Sequence, residues 1–213
     1  MSQHAIIRQA FAEDSEKHYS KGEIILRPGE HDHVYFIKSG FVKAYTISSQ
    51  GFYTLLSVQS VNEIIPIQWI FHQYRPDLFY EAMTDSKVLV MPTKQLKVEV
   101  IHRDELHRAI FDQMLATLEL YSERIHNLGL RSSTERIAFR LIDFSRRFGR
   151  QIDEDSTLLV IPISYQDVAD ALNMTRETAN REFLLLMKEG IIERRGQQIL
   201  IKDAEALRQK LEQ

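Results

Sequence analysis

"ISYQDVADALNMTRETANREFLLLMKEG", residues Ile163–Gly190, divides near its middle into two helical patterns separated by a break. Ser164 and Asp167 make an S-x-x-D capping box ahead of "VADAL", which satisfies orphan N–H groups at the start of a first helix. Asn173 stands where the chain must turn, and asparagine tolerates the left-handed conformation that usually falls to glycine. Thr175 then caps a second helix with Ala179, Phe183, Leu186 and Met187 inward, while Ala169 is small enough to let the two axes approach closely. Two helices joined by a three- or four-residue turn are the helix-turn-helix plan.

In that plan the first turns of the second helix meet base edges in the major groove. Arg176, Glu177, Asn180 and Arg181 occupy those turns. An arginine can fork onto guanine O6 and N7 and a glutamate can accept from cytosine N4, each good contact giving about 1–3 kcal/mol of discrimination. Glu177 and Arg181 are also i, i+4 neighbours that could form a surface ion pair worth a few tenths of a kcal/mol, and residue chemistry by itself leaves both readings open. "GIIERRGQQILIK", Gly190–Lys202, tips the balance: strand, tight turn at Arg195–Gly196 and strand form a β-wing beside the groove.

Upstream, the chain reads differently. Between about Lys21 and Pro92, short apolar runs such as "EIILRPG", "VYFIKSG", "FVKAYTIS" and "TLLSV" are punctuated at Gly22, Gly29, Gly40 and Gly51, which predicts a β-sandwich or barrel with glycines closing the turns. After Pro92 the period changes: Leu106, Ile110, Met114, Leu118, Tyr121, Ile125 and Leu128 make one apolar stripe on a helix, running roughly 33 Å. That length favours a partner helix from a second chain; packing on its own β-domain is the alternative. Gly129 interrupts the pattern, so residues 129–133 read as a hinge. The next helix starts at Ser132 or Ser133, with Arg136, Arg140, Arg146 and Arg147 as a basic side, either solvated or facing phosphates.

A formal net charge of −3 gives no global signal for nucleic acid or anionic membranes, so any basic surface must be local. No cysteine is present, which excludes disulfides, thiol catalysis and thiolate-held iron–sulfur clusters. No apolar run is long enough to span a bilayer, and the first twenty residues lack a signal-peptide pattern, so the expected location is the cytoplasm, away from membranes.

The chain resembles the Crp/Fnr family of bacterial transcription regulators over nearly its whole length. "KGEIILRPGEHDHVYFIKSGFVKAY" (Lys21–Tyr45) is similar to the family's glycine-spaced β-roll opening, and "LELYSERIHNLGLRSSTERIAFRLI" (Leu118–Ile142) to its dimerisation helix, hinge and next helix. "TRETANR" is similar to the R-E-T-x-x-R recognition helix of the cyclic-AMP receptor branch. The resemblance implies an α+β chain with a cyclic-nucleotide-binding-like β-roll (a double-stranded jelly roll) over residues 1–102, a long dimerisation helix over 103–130 and a winged helix-turn-helix over 131–213. It implies a homodimer on double-stranded DNA with TGTGA-like inverted half-sites, with RNA polymerase as a candidate partner. Arg176, Glu177, Asn180 and Arg181 become base readers, and Thr134, Ser164, Thr175 and Thr178 phosphate contacts. Glu182 departs from the family's apolar residue there and is expected to turn outward.

The family's nucleotide cassette, approximately F-G-E-L followed by R-S/T-A, corresponds to "VNEIIPIQWIFHQYRPDLFYEAMT" (Val61–Thr84). Glu63 survives, but Asn62 replaces the glycine, and Pro76-Asp77-Leu78 falls where R-S/T-A should be. Pro76 offers no N–H and Asp77 repels a phosphate, so cyclic AMP is not the expected effector. Glu63, Arg75, Tyr121 and Ser122 are the candidate pocket for an effector whose identity stays open. Ile65, Ile67, Trp69, Ile70, Phe71, Phe79 and Tyr80 either line an apolar pocket or, as such clusters more often do, form core. A second function class is a small-molecule or haem-binding sensor, with His72, His102, His107 and His126 as axial candidates and a helix-turn-helix that serves protein contacts. His31–His33 reads as a solvated turn before a metal site. No stretch pairs a nucleophile with a base as an enzyme would.

Overall fold

The computed structural model describes residues 2–12, 14–30, 32–71, 77–129 and 132–211, and the chain divides into two compact units, residues 1–121 and 122–213. The first opens with a helix ahead of the strand pattern, α1 (Gln3–Ala10), capped by the Ser2 hydroxyl. Eight strands follow: β1 (Ser15–Tyr19), β2 (Ile24–Leu26), β3 (His33–Ser39), β4 (Val42–Ile47), β5 (Tyr53–Gln59), β6 (Ile64–Ile65), β7 (Phe79–Ala82) and β8 (Ser86–Pro92). They form two antiparallel four-stranded sheets, ordered β1-β8-β3-β6 and β2-β7-β4-β5. Helix α2 (Thr93–His102) and α3 (Asp104–Leu128) as far as Tyr121 complete the unit.

The run "VYFI" in β3 is apolar at every position because the strand is buried on both faces. Tyr35 and Ile37 point between the sheets, with Val42, Ala44, Tyr80 and Ala82 of the opposite sheet. Val34 and Phe36 point the other way, into a second core built with Ile6, Ile7 and Phe11 at the N-terminus and Leu106, Ala109 and Ile110 on α3. The expected turn glycines all take positive φ, between +82° and +92°. At Gly40 the requirement is double, since an added Cβ would lie 2.2 Å from Ser86 Oγ and 2.7 Å from the Asp85 carbonyl oxygen.

The expected single stripe on α3 splits into two rows. Leu106 and Ile110 are buried in the β-roll's own core and Met114 packs against it, so that half of the stripe has its partner within the chain. Gln113 reinforces the docking, with its amide both donating to the Ile64 carbonyl (3.0 Å) and accepting from the Ile64 N–H (3.2 Å). Among the described residues of α3, the large apolar side chains left in solvent are Phe111 (53% exposed), Leu115 (43%), Leu118 (63%), Tyr121 (36%) and Ile125 (69%). The side chain of Leu128 lies outside the described residues.

In the second unit, α4 (Ser133–Phe148) is capped by Ser132, whose side chain accepts from the Glu135 N–H. β9 (Gly149–Gln151), β10 (Thr157–Leu159), α5 (Tyr165–Leu172), α6 (Arg176–Lys188), β11 (Ile192–Arg195), β12 (Gln198–Ile201) and α7 (Ala204–Gln209) follow. The strands make one antiparallel sheet in the order β11-β12-β10-β9. Ile137, Leu141, Phe144 and Phe148 recur along α4 at spacings of four and three, and all are buried.

Candidate nucleic-acid interface

The capping box at Ser164 forms as the spacing requires, with Asp167 returning a bond to the Ser164 N–H at 2.8 Å. Asn173 ends α5 in the left-handed region (φ 50°, ψ 49°), and the Met174 N–H reaches back to the Ala169 carbonyl at 3.0 Å. Thr175 caps α6 by accepting from the Thr178 N–H at 3.1 Å, and the two threonine hydroxyls lie 3.0 Å apart. Ala169, Ala179 and Phe183 are wholly buried where the helices meet. Arg176, Glu177, Asn180 and Arg181 are thereby left together on the exposed first turns of α6.

The wing is braced rather than merely attached. Gly196 closes the β11–β12 turn with φ 63°. Arg194 lies over the Tyr165 ring (5.0 Å to its centroid), and its guanidinium donates to the carbonyls of Gly196 (2.7 Å) and Ile163 (3.0 Å). Tyr165 stacks in turn on Phe183 with centroids 4.3 Å apart, so the wing, the start of α5 and the core of α6 share one column of side chains.

Three charged side chains depart from their expected places. Glu182 does not turn outward: it is buried, accepting from Ser133 Oγ (2.9 Å), Thr134 Oγ1 (2.6 Å) and Arg181 Nη2 (3.0 Å). Burial alone would push its carboxyl up, but the bonds from Thr134, Arg181 and Ser133 together hold it below the ordinary glutamate range. Arg181 therefore does not pair with Glu177 despite the i, i+4 spacing, because Glu182 takes its guanidinium. Arg140 is no part of a phosphate-facing side: it is buried, bonded to the buried Asp143 at 3.0 Å and set 5.6 Å from the Phe144 ring centroid. Arg146 is exposed and meets Glu123 at 3.5 Å. Helical periodicity alone cannot distinguish a buried ion pair from a solvated charge face.

Comparison with known proteins bears on the whole chain. The family model for the cyclic nucleotide-binding domain matches residues 16–101, and that for the Crp-like helix-turn-helix domain matches residues 135–210. The chain belongs to the Crp/Fnr family of transcriptional regulators. It is 28% identical over 170 residues to the probable transcriptional activator of Rhizobium leguminosarum bv. viciae, covering 80% of this chain and 69% of that one. It is 24% identical over 197 residues to the fumarate and nitrate reduction regulatory protein of Escherichia coli (strain K12), covering 92% and 78%. The solved structure of FixK2 from Bradyrhizobium japonicum shares the fold, with a TM-score of 0.79 at 22% identity over 92% of this chain and 96% of that one.

At the position of the Crp/Fnr effector cassette, the turn that carries Glu63 is kept. Asn62 adopts the glycine-like φ of 74°, preserving the backbone turn while adding a side chain. Glu63 folds back on that turn and accepts from the Ser60 N–H (3.3 Å) and hydroxyl (3.2 Å). Tyr121 is the last residue of the first unit and Ser122 the first of the second; Arg75 and Pro76 lie outside the described residues. Ile65, Ile67, Trp69, Ile70 and Tyr80 are core, leaving Phe79 half-buried and Phe71 exposed. Burial, then the nearby Tyr121, drives the Tyr80 phenol far above its ordinary value, against a hydrogen bond with Gln68. Of the candidate histidines, His102 bonds to the Val98 carbonyl, His107 lies against Phe71, His126 against Phe139 and His33 begins β3, while His31 and His72 lie outside the described residues. Among the described residues, no three His, Asp or Glu groups gather to hold a metal, and no helix is long and apolar enough to cross a membrane.

Proposed function

We propose that the protein is a homodimeric, sequence-specific DNA-binding regulator, with no catalytic activity of its own, acting in the cytoplasm on an inverted repeat with TGTGA-like half-sites. The observation that carries this is the exposed quartet Arg176, Glu177, Asn180 and Arg181 on the first turns of α6, beside a braced wing. These four are the base readers. Ser164, Thr175 and Thr178 sit at helix starts, as phosphate contacts do, and Thr134 joins them only by giving up its bond to Glu182. The proposed organisation is a sensor over residues 1–102, a dimerisation helix over 103–130 and a DNA-binding domain over 131–213. The row Phe111, Leu115, Leu118 and Ile125 supports dimerisation, since its four- and three-residue steps and the interposed Ser122 match a two-stranded helical seam. The effector is an unidentified molecule other than cyclic AMP, sensed through a degenerate cyclic-nucleotide pocket.

Fluorescence anisotropy tests the reading directly, at stated salt, with a duplex carrying the inverted half-sites beside a scrambled one. The wild type is expected to prefer the first, and Arg181→Ala to lose on the order of tenfold or more of that preference. Equal wild-type affinity for both duplexes would sink the proposal.

A further inference from the structure

Neighbouring positions on a helix point about 100° apart, so residues 181 and 182 do not face each other by default. Arg181 nevertheless wraps towards Glu182, placing Nε and Nη2 3.3 and 3.0 Å from the same oxygen, Oε1. The arginine side chain is 66% exposed and the glutamate side chain 5%, so one edge of the guanidinium is anchored while its far end stands in solvent. The anchor is itself fixed. Ser133 and Thr134, in the first turn of α4, bond to Oε1 and Oε2 respectively, so both oxygens are engaged and the carboxylate cannot swing without losing a bond.

We propose that Glu182 is a positioning residue for base recognition: it holds Arg181 by the Nε edge and presents the opposite Nη1–Nη2 fork outward, ready for guanine O6 and N7. This inference rests on Arg181 being a base reader. A guanidinium carries five N–H donors, and anchoring the Nε edge leaves the end-on pair free for a second bidentate contact. Holding a long side chain before DNA arrives reduces the freedom lost on binding. The carboxylate also offsets the arginine's charge, so Arg181 acts more as a guanine reader than as a general phosphate attractor.

The hydroxyls add a second consequence. A threonine has one O–H proton, and Thr134 directs it at Glu182, so it cannot donate to a DNA phosphate while that bond stands. Thr134 and Ser133 thus act on recognition through Glu182 and Arg181, from a helix 48 and 49 residues away in sequence.

The test is selection of bound duplexes from a random-sequence pool, followed by anisotropy on the selected duplex and its single-base-pair variants at several salt concentrations. The proteins are the wild type, Arg181→Ala, Glu182→Gln, and the double variant Ser133→Ala, Thr134→Ala. Arg181→Ala identifies the base pair that Arg181 reads. At that base pair Glu182→Gln and the double variant are each expected to lose about tenfold of discrimination, with the other positions unchanged. Glu182→Gln should also bind scrambled duplex more tightly, with a salt slope steeper by about one. In the Arg181→Ala background it should cost no further discrimination. A merely structural role would weaken binding evenly at all positions and leave the slope alone, and that pattern overturns the inference. Should Glu182→Gln fail to fold, the double variant keeps the carboxylate and decides the matter alone. Full retention of discrimination at the Arg181 base pair in either folded variant overturns the positioning role but leaves the DNA-reading proposal standing. A wild type that selects no sequence overturns both.

Discussion

Arg140 and Asp143 form a buried pair three residues apart on α4, and the guanidinium's Nε and Nη2 are buried without hydrogen-bond partners among the described residues. Burial pulls the Arg140 guanidinium below its ordinary value, opposed by Asp143. Removing one partner strands a charge away from water. Asp143→Ala is therefore expected to destabilise the second unit by about 3 kcal/mol, and Arg140→Met in the same chain to recover much of the loss, as urea denaturation would show. Glu182 makes a separate prediction about acid. Its folded carboxyl titrates below the ordinary 4.5, so its stabilising contribution is present above that value and is lost as pH falls through the lower folded value. Protection of α4 and α6 amides from hydrogen exchange should fall across that window, and less steeply in Glu182→Gln. An unchanged profile in the variant would show that other groups set the acid response.

At the scale of elements, α3 carries two apolar rows with different destinations. Leu106, Ile110 and Met114 serve the β-roll core, whereas Phe111, Leu115, Leu118 and Ile125 remain in solvent. Leu118→Glu is accordingly expected to leave the fold intact, because the side chain is 63% exposed, and to shift the proposed dimer to monomer in sedimentation. A variant that stays dimeric would place the subunit interface elsewhere. Strands, turn glycines, helix caps and the helix-turn-helix were legible in the sequence because each depends on residues within about four positions of one another. Several elements were not, among them α1, β1, α2, β9, β10 and α7. α1 lies ahead of the strand pattern, and β9 and β10 are three residues each, too short for alternation to show.

For the whole molecule, the Crp/Fnr architecture leaves open what the β-roll answers to. Asn62 keeps the backbone turn, but Glu63 is bonded to its own turn, and Tyr80 is buried. A ligand shifts DNA affinity only by its differential binding to two states of the protein. Cyclic AMP is thus expected to leave anisotropy-measured DNA affinity unchanged, and a tightening of about tenfold or more would restore a nucleotide response.

By itself, the sequence determined the order of the main parts, from strand-rich segment to long helix to helix-turn-helix and wing, the caps that start the α4, α5 and α6 helices, and the four exposed side chains on α6, since these follow from local periodicity and hydrogen-bonding chemistry. Only the tertiary structure decided which row of α3 enters the core, that Arg140 is buried against Asp143, and that Glu182 turns inward to Ser133 and Thr134. The reason is physical. A helical pattern specifies which residues share a face, whereas the choice of partner for that face depends on groups brought together from distant parts of the chain, where burial makes every unpaired charge costly.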